Sequence, residues 1–199
     1  NIDHIAAKGV RFLQAYANSA VCTATRTALI TGRYQYRLRL GLEEPLQAGN
    51  TVVGLPPEHP TLPSQLKKVG YQTTLVGKWH LGFLPTFGPL KSGYDEHFGP
   101  LSGGVDYHTH QDSFGVHDLF EDDREVHRDG YLTDLLSTRA AEFVSRCADK
   151  RQPFLLSLHY TAPHWPWETR EDGELAKKFG KAYPIYHLDG GNIRIYQRM

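Results

Sequence analysis

The sequence contains very little cysteine, and this scarcity argues against two common ways of stabilising a small domain. Its 199 residues include only Cys22 and Cys147, whose spacing suggests neither a disulfide framework nor a zinc site. A chain of this length can bury a sizeable hydrophobic core without such cross-links. The two thiols therefore need separate explanations.

Long apolar runs and an excess of charge are also missing. Apolar stretches such as residues 154–158 fall far short of the roughly 20 residues that a membrane-spanning helix requires. Lysine plus arginine equal aspartate plus glutamate at 22 each, so the summed charge attracts neither nucleic acid nor an anionic membrane. We therefore expect no nucleic-acid partner and no membrane span, and any recognition of anions must be local.

Helical and strand-like patterns alternate along the chain. Residues 10–16 form a mostly apolar run that predicts a strand, and residues 23–31 predict a helix that ends at Gly32. A second helix leads into a β-rich run over residues 71–76, and a third leads into a buried-strand candidate over residues 154–160. This alternation predicts an α/β fold with a largely parallel sheet, flanking helices, and ligands beyond the carboxyl ends of the strands.

Residues 84–128 form a long segment with many glycines and little periodicity, which predicts a partly ordered excursion that lines a site. A transition-metal site is one interpretation of its histidines, but their spacing matches no standard ligand pattern, so we favour a substrate-facing or solvated loop. No linker or repeat divides the chain, and we expect one domain. The histidines of this segment are His97, His108, His110, His117 and His127.

A first motif surrounds Cys22, which we expect at or beside the N-terminus of the first long helix. Residues 22–26, Cys-Thr-Ala-Thr-Arg, resemble the signature of the type I, formylglycine-dependent sulfatases, and the likeness continues to Arg33. In that family a separate maturation enzyme oxidises the cysteine to formylglycine, whose hydrate is the nucleophile. The resemblance implies that Cys22 is the precursor and that Arg26 hydrogen-bonds the hydrate. Ala24 replaces the commoner proline and leaves the identity of the maturation enzyme open. The structural alternative is a small buried cysteine before an ordinary helix.

A second motif covers residues 70–82, Gly-Tyr-Gln-Thr-Thr-Leu-Val-Gly-Lys-Trp-His-Leu-Gly, and is similar to the second signature of the same family. Lys78 and His80 are separated by one residue, so an extended chain would point both side chains to one side. By resemblance, Lys78 binds a sulfate oxygen and His80 accepts the proton when the sulfated hydrate collapses. The alternative is an exposed lysine and a hydrogen-bonded histidine at a strand end.

A third motif covers residues 158–166, Leu-His-Tyr-Thr-Ala-Pro-His-Trp-Pro, and resembles the family segment whose histidine approaches the bridging oxygen of the ester. His164 is that histidine, and the resemblance implies that it binds substrate and protonates the leaving alcohol. We expect His159 to be packed or hydrogen-bonded within the strand. Tyr107 and His108 weakly resemble a substrate-recognition region of some sulfatases.

The resemblance covers nearly the whole chain and implies that residues 1–199 form part of one alkaline-phosphatase-like sulfatase catalytic domain, truncated at both ends. Sulfatases also bind a divalent cation, usually calcium, through an early paired-aspartate strand and a later Asp-Asn pair. The first pair would precede Asn1, and residues 188–193 resemble the helix before the second. Asp189 and Asn192 are therefore not assigned as ligands. Cys22, as formylglycine, would be the ligand from this chain.

The function that the resemblance implies is sulfuric ester hydrolysis through a covalent sulfated intermediate. The substrate would be an aryl sulfate or a sulfated sugar, and the compartment would be extracytoplasmic: lysosomal, periplasmic or secreted. Three alternatives stay open. They are a phosphonate or phosphate ester hydrolase of the same superfamily, a noncatalytic remnant that binds sulfated glycans, and a thiol hydrolase that uses Cys22 with a histidine.

Overall fold

The protein contains both α-helices and β-strands. A computed structural model describes residues 2–43, 45–179 and 193–199. The helices are α1 (Ile2–Lys8), α2 (Cys22–Thr31), α3 (Leu62–Lys68), α4 (Leu132–Asp149), α5 (Gly173–Phe179) and α6 (Ile193–Tyr196). The strands are β1 (Gln72–Gly77), β2 (Glu96–Gly99), β3 (Phe120–Glu121), β4 (Arg124–Glu125) and β5 (Phe154–His159). Short 3-10 helices cover Gln35–Arg37, Arg39–Leu42, Pro89–Ser92 and Arg170–Asp172. Asp189 and Asn192 lie outside the described residues.

The strands form one mixed sheet in the order β4-β3-β2-β1-β5. Strand β1 pairs in parallel with β2 on one side and with β5 on the other, whereas β3 and β4 extend the sheet in antiparallel fashion. The register places Gly77 beside His159, so the second and third motifs leave the sheet at the same edge. The predicted α/β fold is confirmed, with a parallel centre and an antiparallel extension.

The hydrophobic core lies on both faces of this sheet. Adjacent residues of β1 point to opposite faces, so Leu75 joins a cluster with Ile30 of α2, while Val76 joins a second cluster with residues of α4. Helix α4 buries residues at helical spacing, as predicted: Leu132, Leu136, Ala140, Phe143 and Cys147. Within the described ranges, no helix combines the length and apolar character needed to cross a membrane.

Two sequence predictions about strands need correction, and one strand was not predicted. Residues 10–16 form no strand, because no described strand pairs with them, and their apolar side chains are exposed. Strand β5 was predicted to be buried, but it has a paired neighbour only on its β1 side within the described sheet, and Phe154 is 37% exposed. Strand β2 was missed because its four residues, which include Glu96 and His97, carry no alternating pattern; pairing with β1 makes it a strand.

Candidate active site

Cys22 is the first residue of α2, which confirms the position expected for it. The helix starts after the extended residue Val21 and has no side-chain cap there; it ends at Gly32 in the left-handed region. The amide of Thr25 donates to the carbonyl oxygen of Val21 over 3.0 Å, which closes the first turn. The positive end of the helix dipole therefore lies at Cys22, where it favours negative charge.

The imidazole of His80 lies with its unprotonated nitrogen facing Cys22. Its Nε2 lies 2.9 Å from the carbonyl oxygen of Leu46, and because a carbonyl only accepts, Nε2 must carry the hydrogen. Nδ1 is then the acceptor, and it lies 3.1 Å from the Sγ of Cys22. Burial and then the charge of Lys78 lower the pKa of His80 to about 3. The ring is therefore a neutral acceptor at physiological pH.

The backbone of His80 reaches this position by a turn. Its φ of 56° lies in the left-handed region that residues other than glycine seldom occupy. The sequence analysis expected an extended chain from Lys78 to His80, and this expectation is wrong. Both side chains nevertheless meet at Cys22, as expected.

A buried hydroxyl holds Leu46 in place. The amide of Leu46 donates to the Oγ1 of Thr23 over 3.1 Å, and Thr23 is fully buried. Thr23 directly follows Cys22 in the chain. Thr23 therefore holds Leu46, Leu46 holds the ring of His80, and that ring contacts Cys22. Sequence reasoning missed Leu46 because it acts through backbone groups, which leave no signal in a motif.

Lys78 lies directly after β1 and beneath Cys22. It is 3% exposed, and its ammonium group interacts with Cys22. Burial lowers the pKa of Lys78 from 10.5 to about 8; the neighbouring Cys22 opposes this shift and Arg26 adds to it. The amide of Lys78 donates to the carbonyl oxygen of His159 over 2.9 Å. Only glycine fits before it, because a Cβ on Gly77 would lie 1.9 Å from that oxygen.

Arg26 connects α2 to both strand ends. Its NH1 donates to the carbonyl oxygen of Lys78 over 3.0 Å and to the Nδ1 of His159 over 2.9 Å. A guanidinium group only donates, so Nδ1 of His159 accepts in this shorter contact, although it also lies 3.2 Å from the carbonyl oxygen of Lys78. Burial and then the charge of Arg26 lower the pKa of His159 to about 4, which keeps it neutral for this purpose. His159 is hydrogen-bonded, as predicted, and in addition it orients Arg26.

His164 lies in the turn that follows β5. Its Nδ1 lies 2.7 Å from the carbonyl oxygen of Trp165, so Nδ1 carries the hydrogen and Nε2 is the acceptor. The hydroxyl of Tyr107 donates to the carbonyl oxygen of His164 over 2.9 Å. Burial lowers the pKa of His164, and the charges of Lys78 and Arg26 act in the same direction. A bound anion would raise the pKa of His164.

Cys22, His80 and His164 share one cavity. The backbone of residues 102–104 comes close to both imidazoles, since a Cβ would lie 2.5 Å from Cε1 of His80 at Gly103 and 3.0 Å from Cε1 of His164 at Gly104. The other lining residues are Pro45, Leu46, Gln47, Ala48, Ser102, Ser113, Phe114 and Trp165. Trp165 therefore forms an aromatic wall beside the candidate catalytic groups.

Tyr107 and His108 do not face this cavity. Tyr107 is fully buried and contacts the backbone of His164, while the Nε2 of His108 lies 3.0 Å from the carbonyl oxygen of Thr169. Both side chains are hydrogen-bonded to the backbone of residues 164–169, and their place in substrate recognition stays a prediction. Trp167 likewise bonds the carbonyl oxygen of Pro163 rather than lining the cavity.

The described residues around Cys22 do not by themselves fit calcium. Calcium binds about six to eight oxygen ligands, many of them carboxylates. Cys22 instead has imidazole, ammonium and guanidinium groups around it, and no described carboxylate lines the cavity. The local charge is positive and suits an anionic substrate.

Comparison with known proteins agrees with this geometry. The family model described as Sulfatase matches residues 1–187. The chain belongs to the sulfatase family. It is similar to Arylsulfatase J of Mus musculus, at 38% identity over 83% of this chain and 28% of that protein. It is also similar to the N-acetylglucosamine-6-O-sulfatase of Bacteroides thetaiotaomicron, at 32% identity over 84% of this chain and 26% of that protein. The chain thus spans about a quarter of the length of these sulfatases.

Solved structures show the same fold. The crystal structure of Ps i-CgsB has a TM-score of 0.80 and 30% sequence identity to this chain. The match covers all of this chain and 45% of the Ps i-CgsB chain. The structure of BT4656 in complex with its substrate D-glucosamine-2-N,6-O-disulfate has a TM-score of 0.63 and 29% sequence identity to this chain. That match covers 84% of this chain and 30% of the BT4656 chain. The α/β arrangement described above is therefore that of sulfatases.

Proposed function

We propose that residues 1–199 are part of one sulfatase catalytic domain and that the whole protein hydrolyses sulfuric esters with a formylglycine formed from Cys22. The observation that carries this proposal is the surroundings of Cys22. Its Sγ lies at a helix N-terminus, 3.1 Å from the acceptor nitrogen of His80 and against the ammonium group of Lys78. A separate maturation enzyme would convert Cys22, whose side chain lines the cavity.

The neighbours of Cys22 fit the chemistry that formylglycine supplies. The hydrated aldehyde has two hydroxyls on one carbon, one to attack sulfur and one to expel sulfate. His80 is placed to accept a proton from position 22 at Nδ1. Lys78 binds a sulfate oxygen as a point charge, and Arg26 adds positive charge beneath it. Positive charge arranged in advance around a developing anion is the main source of catalysis in this proposal.

His164 serves the opposite side of the ester. It shares the cavity with Cys22, and its Nε2 is unprotonated in the neutral ring that the bond to Trp165 selects. A bound sulfate ester offsets the positive charges that lower its pKa. The ring then takes up a proton and donates it to the bridging oxygen as the alcohol leaves.

Substrate, metal and compartment follow from family relationships. Relatives include an arylsulfatase and an amino-sugar sulfatase, and BT4656 binds a disulfated glucosamine. We therefore propose an aryl sulfate or a sulfated sugar, whose ring would lie against Trp165. Calcium would depend on ligands beyond the described residues together with position 22. An extracytoplasmic compartment, whether lysosomal, periplasmic or secreted, belongs to the same proposal.

One observation favours a second candidate, a thiol hydrolase. Cys22 and His80 are within hydrogen-bonding distance, as the nucleophile and base of such enzymes are. However, the pKa of His80 is lowered to about 3 by burial and Lys78, so an imidazolium that would stabilise a thiolate does not form at neutral pH. Lys78, Arg26 and the helix N-terminus would nevertheless stabilise a thiolate, so it is the match to the sulfatase family that favours sulfate-ester hydrolysis over this candidate.

Turnover by the natively matured full-length protein separates these candidates. We expect hydrolysis of sulfate esters that survives complete alkylation of thiols and is abolished in Cys22→Ala. The matched control Cys147→Ala changes the other thiol, which is buried in α4, and should keep its activity. Faster turnover of phosphonate esters, loss of activity on alkylation, or saturable glycan binding without turnover would each contradict the proposal and favour the corresponding alternative.

A further inference from the structure

Three side chains with metal-binding groups converge beside β4. The ligand atoms of His117, Glu125 and His127 all lie within 4.8 Å of one another. The rings of His117 and His127 stack with their centroids 4.1 Å apart and 23° between their planes. The Nε2 of His127 lies 3.5 Å from a carboxylate oxygen of Glu125. Among the described residues, no other three histidine, cysteine or acidic side chains bring their ligand atoms this close together.

A hydrogen bond to the backbone fixes the tautomer of His117. Its Nε2 lies 2.9 Å from the carbonyl oxygen of Val126, so Nε2 carries the hydrogen and Nδ1 keeps its lone pair. Metal-bound histidines are commonly held in this way, because a backbone carbonyl fixes both the tautomer and the orientation of the ring. At His127, a cation would lie between the imidazole and the carboxylate of Glu125.

The ligand types identify the class of metal. Two imidazoles and one carboxylate suit a borderline cation such as Zn²⁺ and leave a fourth position for water. Zinc ligands lie roughly 2 Å from the ion, so the three atoms must move closer together. Two of the side chains can do so, since His127 and Glu125 are 78% and 49% exposed.

The fold explains why the spacing of these residues in sequence gave no indication of a site. Val126, between Glu125 and His127, donates its amide to the carbonyl oxygen of Leu119 over 2.9 Å, which returns the chain to the vicinity of His117. His117 also closes the loop of residues 111–117 by bridging to Gln111. The ligands therefore come from two segments that tertiary structure brings together.

We propose that His117, Glu125 and His127 form a Zn²⁺ site that fastens the loop of residues 111–117 to β4. The site is separate from Cys22, and its ligands do not line the candidate active-site cavity. It is nonetheless connected to that cavity, because Ser113 and Phe114 of the same loop line it. The ion would have a structural effect: it would hold in place the loop that carries Phe114.

Zinc titration by calorimetry tests the site. The full-length protein that carries Cys22→Ala should lose one binding event, or bind at least about tenfold more weakly, when Glu125→Gln or His127→Gln is added. His4→Gln is a matched control, because His4 is an exposed histidine of α1. All variants carry Cys22→Ala so that this thiol contributes no binding, and circular dichroism checks their fold. Absence of zinc binding, or equal affinity in all variants, would overturn the proposal.

Limited proteolysis tests the effect on the loop. Phe114 is 69% exposed, so chymotrypsin can cleave there. Zinc should slow this cleavage in the parent protein and leave its rate unchanged in His127→Gln. Equal rates with and without zinc in the parent protein would show that the ion does not fasten the loop.

Discussion

The Nε2–H of His80 donates to the carbonyl oxygen of Leu46 over 2.9 Å, and this bond decides which ring nitrogen faces Cys22. If the ring turned or changed tautomer, Cys22 would face a donor instead of an acceptor. Leu46 is itself held by Thr23, the residue that follows Cys22. The first motif therefore supplies both the candidate nucleophile and part of the support for its base.

Replacement of Thr23 tests this support. Thr23→Val leaves the buried amide of Leu46 without its acceptor, which should lower the free energy of unfolding by about 1–3 kcal/mol. His80 should then lose its position, and a displacement of about 1 Å should lower kcat about a hundredfold. Thr23→Ser keeps the hydroxyl, so its free energy of unfolding and its kcat should both stay close to those of the parent protein. Chemical denaturation and sulfate-ester kinetics provide the measurements; equal kcat in the two variants would contradict the account.

The pKa of Lys78 predicts the alkaline side of the pH profile. Since burial lowers it to about 8, the free enzyme loses its ammonium charge above that pH, and kcat/KM should fall there. Bound sulfate stabilises the charged form, so kcat should decline only at higher pH. Lys78→Arg should remove this decline, and Lys78→Met should lower kcat/KM by about 10² to 10³. A decline that persists unchanged in the arginine variant would assign it to another group.

Glu168 predicts a dependence of stability on pH. It is fully buried, accepts the amide of Tyr107 over 2.9 Å, and has a pKa raised from 4.5 to about 9 by burial and then by Asp106. The folded protein keeps this carboxyl protonated where the unfolded chain ionises it, so stability should be highest below pH 4.5 as far as this group is concerned. It should fall as the pH rises towards about 9.

Glu168→Gln isolates this contribution, because the amide has the shape of the protonated carboxyl. Denaturation at pH 5 and pH 8 should show a smaller loss of stability with pH in the glutamine variant than in the parent protein. An equal loss in both would mean that Glu168 does not titrate as described.

Helices were easier to predict than strands, for physical reasons. Helix α4 carries apolar residues at regular spacing and α2 ends at a glycine that adopts φ 63°, so local sequence determines both. Strand β2 exists because β1 lies beside it, and residues 10–16 have strand-like composition but no described partner. Strand pairing is a property of the tertiary structure. The local sequence of β2 or of residues 10–16 does not show whether another strand lies beside it.

The candidate site was predictable where side chains carry the chemistry. Cys22, His80 and His164 share one cavity, Lys78 interacts with Cys22, and Arg26 bonds the backbone of Lys78. The supports were not predictable, because Leu46 acts through its carbonyl oxygen and Gly103 through the absence of a side chain. These groups are identified only when the chain has folded around them.

The central claim is that Cys22 is the precursor of the nucleophile, and peptide mass spectrometry of the natively matured full-length protein tests it most directly. We expect the peptide that contains Cys22 to carry formylglycine in place of cysteine, with Cys147 unmodified as the internal control. An unmodified thiol at Cys22 in a protein that hydrolyses sulfate esters would contradict the account.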